Sequence, residues 1–128
     1  LMVHGMDVKA MPPGRQYIHG DSRLHYRGGS VGLEDELADR AMELAVNAAS
    51  WVAGLHGYVG VDMVLGSEAQ TDRVIEINPR LTLSYIALKA LCETSIAAAM
   101  LDPDAPLVWR DGTIRFDAGG NIQPEPAS

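Results

Sequence analysis

Apolar positions change period along this chain, and the changes mark its elements. From Glu34 to His56 the residues Leu37, Ala41, Leu44, Ala45, Ala48, Val52 and Leu55 recur at helical spacing, which predicts one long helix with a single buried face. Glu34, Asp35 and Glu36 fall in its first turn, where carboxylates suit the helix dipole, and Gly57 is placed to follow its end. Before it, Met2 to Val8 and Arg15 to His19 read as two strands around the turn Met11-Pro12-Pro13-Gly14, with Arg23 to Arg27 as a third, shorter strand. The cluster Gly28-Gly29-Ser30-Val31-Gly32 reads first as a turn; a backbone cradle for an oxyanion is the other reading its glycines allow.

After Gly57 the period shortens to two. Tyr58 to Leu65 and Arg73 to Asn78 are β-rich runs joined by the polar stretch 66 to 72, which predicts an antiparallel hairpin. Thr82 to Leu101 is alanine-rich and helical in character, with a break expected near Glu93-Thr94-Ser95 and an end at Asp102-Pro103. Asp111-Gly112 between Leu107 to Arg110 and Thr113 to Phe116 is a hairpin signal, and residues 118 to 128 read as a flexible tail. Together these elements predict an α+β fold, an antiparallel sheet with a long helix packed on it, in one unit over residues 1 to 117.

The end of the central hairpin carries more than a strand needs. In V-I-E-I-N-P-R, Glu76 and Asn78 lie two residues apart and so share a strand face, Pro79 stops the strand, and Arg80 follows. Hairpin symmetry sets Asp62 opposite residue 76 or residue 78, depending on the register. Opposed carboxylates repel unless a cation or proton intervenes, and two carboxylates with an amide oxygen are ligands for a hard cation such as Mg²⁺. The plainer alternative makes them the wet face of a half-buried hairpin.

Composition narrows the choice. The 128 residues are 47% hydrophobic and 21% charged, the profile of a globular domain, and a net charge of -7 argues against a nucleic-acid or anionic-membrane partner. There is no membrane-length apolar run and no signal-peptide pattern, so the cytoplasm is the default compartment. Cys92 is a lone thiol in an apolar stretch, expected as a small core residue, and His4, His19, His25 and His56 lack zinc-site spacing.

The strings G-Y-V-G-V-D-M-V-L-G and V-I-E-I-N-P-R-L-T-L-S-Y resemble the C-terminal part of the ATP-grasp superfamily, and R-Q-Y-I and Y-R-G-G-S upstream resemble its segments before the long helix. The likeness covers about residues 15 to 90, and N-P-R-L-T-L-S-Y is most similar to the tyramine:glutamate ligase type within it. It implies a C-terminal ATP-grasp subdomain of a carboxylate-amine ligase that uses ATP and Mg²⁺, or Mn²⁺ in its place, and works through an acyl phosphate. By the same resemblance Asp62, Glu76 and Asn78 would be metal ligands, and Arg80 would contact the acyl phosphate or the substrate carboxylate. Val64 and Ile75 would pack on adenine, and Gln16 would lie near the phosphates. Strict alternation puts Ile75 on the face away from Glu76, so that role requires a bulge.

The partners so implied are ATP, a small carboxylate and an amine, with homo-oligomerisation left open. Superfamily members also carry an N-terminal domain and a second nucleotide-binding subdomain, for which there is no room before Arg15. The chain is therefore expected to be the C-terminal half of an enzyme, inactive alone. A degenerate ATP-grasp fragment serving as a non-enzymatic interaction module is the alternative expectation.

Overall fold

The computed structural model describes residues 1 to 33 and 35 to 124. Among the described residues, nine short strands form three antiparallel sheets, accompanied by three α-helices and a short 3-10 turn at Ala69–Thr71. Strand β1 (Met2–His4) pairs with β2 (Asp7–Lys9) on one side and with β5 (Gly57–Tyr58) on the other. A second sheet has the order β3-β4-β8-β9, from β3 (Gly14–His19), β4 (His25–Val31), β8 (Ile114–Asp117) and β9 (Ile122–Gln123). The third is the two-stranded hairpin of β6 (Gly60–Val64) and β7 (Arg73–Asn78).

The first strand run is therefore split. Gly5, at φ 61°, turns the chain inside Met2 to Val8, so this segment makes its own hairpin instead of pairing with Arg15 to His19. The expected third strand exists but runs on through the glycine cluster, where a turn was expected. Residues 28 to 31 lie inside β4, between β3 and β8. A Cβ on Gly28 would come within 2.1 Å of the Phe116 carbonyl oxygen, and one on Gly29 within 2.4 Å of that of Arg15. Those glycines serve close approach of neighbouring backbones rather than a reversal of the chain.

Helix α1 (Glu36–Ser50) is capped by Asp35, whose carboxylate accepts from the Ala38 amide at 3.1 Å, and has Glu36 and Asp39 in its first turn. It buries Ala38, Ala41, Ala45 and Ala49, which lets it lie close to its neighbours. At 15 residues it is shorter than the expected span to His56: the chain leaves the helix at Trp51 and turns through Gly54 at φ 83°. Residue 34, expected to open the helix, lies outside the described residues.

Helix α2 (Tyr85–Leu91) and helix α3 (Ile96–Leu101) are separated where the break was expected, and the Ser95 hydroxyl caps the second by accepting from Ala98 at 3.1 Å. Their inner faces supply Ala87, Leu88, Leu91, Ile96 and Ala99 to a core completed by Met2, Met11, Val31, Tyr58 and Phe116. The expected hairpin around Asp111-Gly112 does not form. Trp109 bridges to Cys92, and the Glu93 amide donates to the Val108 carbonyl, so the first arm joins the helical segment while the second joins β4 as β8. Cys92 is partly buried beside the core. Ile122 and Gln123, within the expected tail, pair with β8, and residues 125 to 128 lie outside the described residues. Among the described residues no helix is long and apolar enough to cross a membrane.

Candidate functional site

The β6-β7 hairpin resolves the register that the sequence left open. Asp62 faces Glu76, and Gly60 faces Asn78. The register slips by one between Asp62 and Met63, so that Met63 faces Val74 and Ile75 is the extra residue of a β-bulge. A bulge suspends strict alternation, which is the condition under which Ile75 can turn to the side of Glu76. Ile75 is 66% exposed and Val64 is 58% exposed, large apolar side chains presented to solvent beside two acids.

Asp62 is the meeting point of three elements. One carboxylate oxygen accepts from Gln16 Nε2 of β3 at 2.8 Å. The other accepts a long bond of 3.4 Å from Asn78 Nδ2 on β7. Asn78 is buried, at 6% exposure, and its Oδ1 accepts from Arg80 Nη2 at 3.4 Å. The Arg80 amide donates to the Asn78 carbonyl at 2.8 Å, a tight turn across Pro79 that brings the guanidinium back over the strand end. The structure thus joins Gln16, Asp62, Asn78 and Arg80 in one hydrogen-bonded chain, with Glu76 in cross-strand register with Asp62.

The loop that carries Arg80 is fixed by hydroxyls. Tyr58 Oη lies 3.0 Å from Thr82 Oγ1 and 3.2 Å from Ser84 Oγ, and those two lie 2.8 Å apart. Gly60 permits this packing, because a Cβ there would meet Thr82 Cγ2 at 2.7 Å. Tyr26 of β4 is a neighbour that sequence reasoning passed over: burial first, and the negative charge of Asp62 second, raise its phenol above the ordinary value of 10.0. It opens the string Y-R-G-G-S and pairs with Ile18 next to a register shift in β3-β4, but the string gave it no role beside Asp62.

The donor set is hard oxygen: two carboxylates and an amide. Among the described residues no three His, Cys, Asp or Glu side chains gather as a metal site, so a cation here would rest on Asp62 and Glu76 with oxygens brought by a ligand. Such partial coordination suits Mg²⁺, which is commonly held by one or two carboxylates and phosphate oxygens. Asn78 fits once its amide turns over, since its nitrogen faces Asp62 and its oxygen faces Arg80. The flip gives up both of those hydrogen bonds, a loss that a cation between Asp62 and the amide oxygen would offset.

The chain is similar to known proteins over most of its length. The tyramine–L-glutamate ligase of Methanocaldococcus fervens is 35% identical over 100 residues, which cover 78% of this chain and 32% of the relative. That of Methanocaldococcus jannaschii is 35% identical over 88 residues, covering 69% of this chain and 27% of the relative. The chain therefore spans a third or less of the length of these curated relatives. No solved structure matches. The model of the ATP-grasp domain matches residues 1–84, from β1 through the loop that carries Arg80, and the chain belongs to the ATP-grasp family.

Proposed function

We propose that the protein containing this chain is an ATP-dependent carboxylate-amine ligase, and that the described residues form the C-terminal part of its nucleotide site. The observation that carries this reading is the facing pair Asp62 and Glu76, with Asn78 and Arg80 linked to it at the end of the same hairpin. Facing carboxylates are costly in an apo protein and useful when a divalent cation sits between them.

In this reading Asp62, Glu76 and Asn78 hold Mg²⁺, or Mn²⁺ in its place. A bound cation of this kind supplies charge neutralisation for the phosphates of ATP. Gln16 fixes the Asp62 carboxylate from β3 and stands near the phosphates. The exposed Val64 and Ile75 cover one face of the adenine. Arg80 presents a planar guanidinium to an anion, a task in which lysine would be the poorer choice.

A substrate carboxylate oxygen then attacks the γ-phosphorus, the bond to the β-phosphate bridging oxygen breaks, and ADP leaves. An amine attacks the acyl carbon and inorganic phosphate departs with the electron pair of the C–O bond. The amine loses one proton to a base, giving the amide. The identity to the two tyramine–L-glutamate ligases supports glutamate as the carboxylate and a primary alkyl amine such as tyramine as the acceptor. A ligase that consumes ATP works where ATP is replenished, which assigns it to the cytoplasm.

The test is to incubate the whole gene product with Mg·ATP, glutamate and hydroxylamine. Glutamyl hydroxamate formed together with equimolar ADP supports an acyl phosphate. ADP released at the same rate without any carboxylate would remove the ligase reading.

A further inference from the structure

The β6-β7 hairpin pairs with no other strand among the described residues, so something other than a sheet ladder must fix it on the fold. The strongest contact available is at its closed end, far from the acids. Arg40, in the middle of α1, donates through Nε to Asp72 Oδ2 at 3.1 Å and through Nη2 to Asp72 Oδ1 at 2.5 Å. The same Nη2 donates to the Gly66 carbonyl at 3.0 Å, and the Gly66 amide donates to Asp72 Oδ1 at 2.9 Å. Both side chains are largely covered, at 17% and 6% exposure, unlike the other two ion pairs among the described residues, which are about half exposed.

These bonds tie three points at once: the helix, Gly66 two residues past the end of β6, and Asp72 immediately before β7. Gly66 and Asp72 are the two mouths of the connecting loop, and a guanidinium fork fits one carboxylate position rather than a range of them. A slip of one residue in β7 would move Asp72 away from both Arg40 and the Gly66 amide. The same slip would turn Glu76 and Asn78 to the opposite side of the hairpin, because strand side chains alternate. The bulge at Ile75 lies between these contacts and the acids, so the contacts hold Arg73 against Val64 and Val74 against Met63, and the single extra residue then carries the strand on to Glu76 opposite Asp62.

We propose that Arg40 and Asp72 form the register lock of this hairpin, a positioning pair that fixes its closed end so that, with the one bulge at Ile75, Glu76 falls opposite Asp62 about four residues, or roughly 13 Å, further along the strand. The proposal rests on the reading of Asp62 and Glu76 as cation ligands for its functional consequence, but not for its structural one. Neither residue touches the ligand. Their contribution is to make the ligand geometry available before any ligand arrives.

The experiment compares Arg40→Ala and Asp72→Asn with Phe116→Leu, a core change far from the loop, in the whole gene product. Two quantities are read: NMR cross-strand proton contacts between residues 62 and 76 and between residues 60 and 78, and Mn²⁺ affinity by paramagnetic resonance in the presence of ATP. The lock predicts that both loop variants lose or weaken those contacts and bind Mn²⁺ about tenfold or more weakly, whereas Phe116→Leu, at equal loss of thermal stability, leaves both unchanged. Arg40→Lys, which keeps the charge without the fork, should fall between. Intact contacts in both loop variants, or an equal loss of Mn²⁺ affinity in Phe116→Leu, would overturn the proposal. If the unaltered protein binds no Mn²⁺, the cation reading fails, and the cross-strand contacts alone still decide whether the lock exists.

Discussion

Gln16 and Asp62, forty-six positions apart in the chain, are joined by a 2.8 Å hydrogen bond from the Gln16 amide nitrogen to a carboxylate oxygen. The bond links the four-stranded sheet to the hairpin that carries the candidate ligands. Its length is that of a well-formed N–H···O bond.

That link predicts measurable coupling. In a double-mutant cycle of Gln16→Met and Asp62→Ala, the two changes should be non-additive by at least about 0.5 kcal/mol, whatever the sign of the Asp62 change alone, which also relieves the repulsion from Glu76. Additive costs in urea unfolding would mean that the two side chains do not sense each other.

Tyr26 reports on the same carboxylate. Burial and the charge of Asp62 both disfavour its phenolate. Absorbance titration, taken as the difference from Tyr26→Phe, should give a pKa above the ordinary value that moves down in Asp62→Asn without reaching it, because burial remains. An unmoved titration would put Asp62 out of range of the ring.

The Arg80 loop depends on the absence of a side chain at position 60. Gly60→Ala puts a methyl within 2.7 Å of Thr82 Cγ2 and should cost about 1–3 kcal/mol. Adding Thr82→Ser removes that methyl while keeping the hydroxyl that Tyr58 and Ser84 contact, and should recover most of the loss. A double variant no more stable than Gly60→Ala would place the strain elsewhere.

Much of this was legible in the sequence, and the reasons are local. The E-x-N pair, the facing Asp62 and the turn at Pro79 follow from a period of two and hairpin symmetry, and the observed register is one of the two that symmetry allowed. The helix around Ala41 and Ala45 follows from its apolar stripe, but its end at Ser50 does not, because Val52 and Leu55 continue the stripe past the turn at Gly54. The bulge at Ile75 could be named as a requirement but not located, since nothing in V-I-E-I distinguishes it. Least legible were the contacts between distant segments: Gly28 and Gly29 look like a turn until Phe116 and Arg15 are seen against them. Asp111-Gly112 has hairpin chemistry, yet Trp109 finds Cys92 instead of its neighbour across the turn.

Acid stability follows from two aspartates. The side-chain bond from Arg40 foremost holds the Asp72 carboxyl below the usual carboxylate range, and the backbone and side-chain donors of Asn121 do the same for Asp117. A carboxylate whose folded pKa is lowered stabilises the fold fully above its unfolded pKa, and that contribution is lost as pH falls through the folded value. Urea midpoints should therefore drop below about pH 4, with a shallower drop in Asp72→Asn, which already lacks its share at neutral pH. Parallel acid limbs for the two proteins would show that Asp72 has the same pKa folded and unfolded.

The central claim is that Asp62 and Glu76 are a cation site waiting for nucleotide, and one titration tests it most directly. Mn²⁺ binding to the whole gene product is followed by paramagnetic resonance with ATP present, for the unaltered protein and for Glu76→Gln, which removes the charge and keeps the shape. The site predicts saturable binding that requires ATP and that Glu76→Gln weakens by about tenfold or more. Equal binding by both proteins would contradict it.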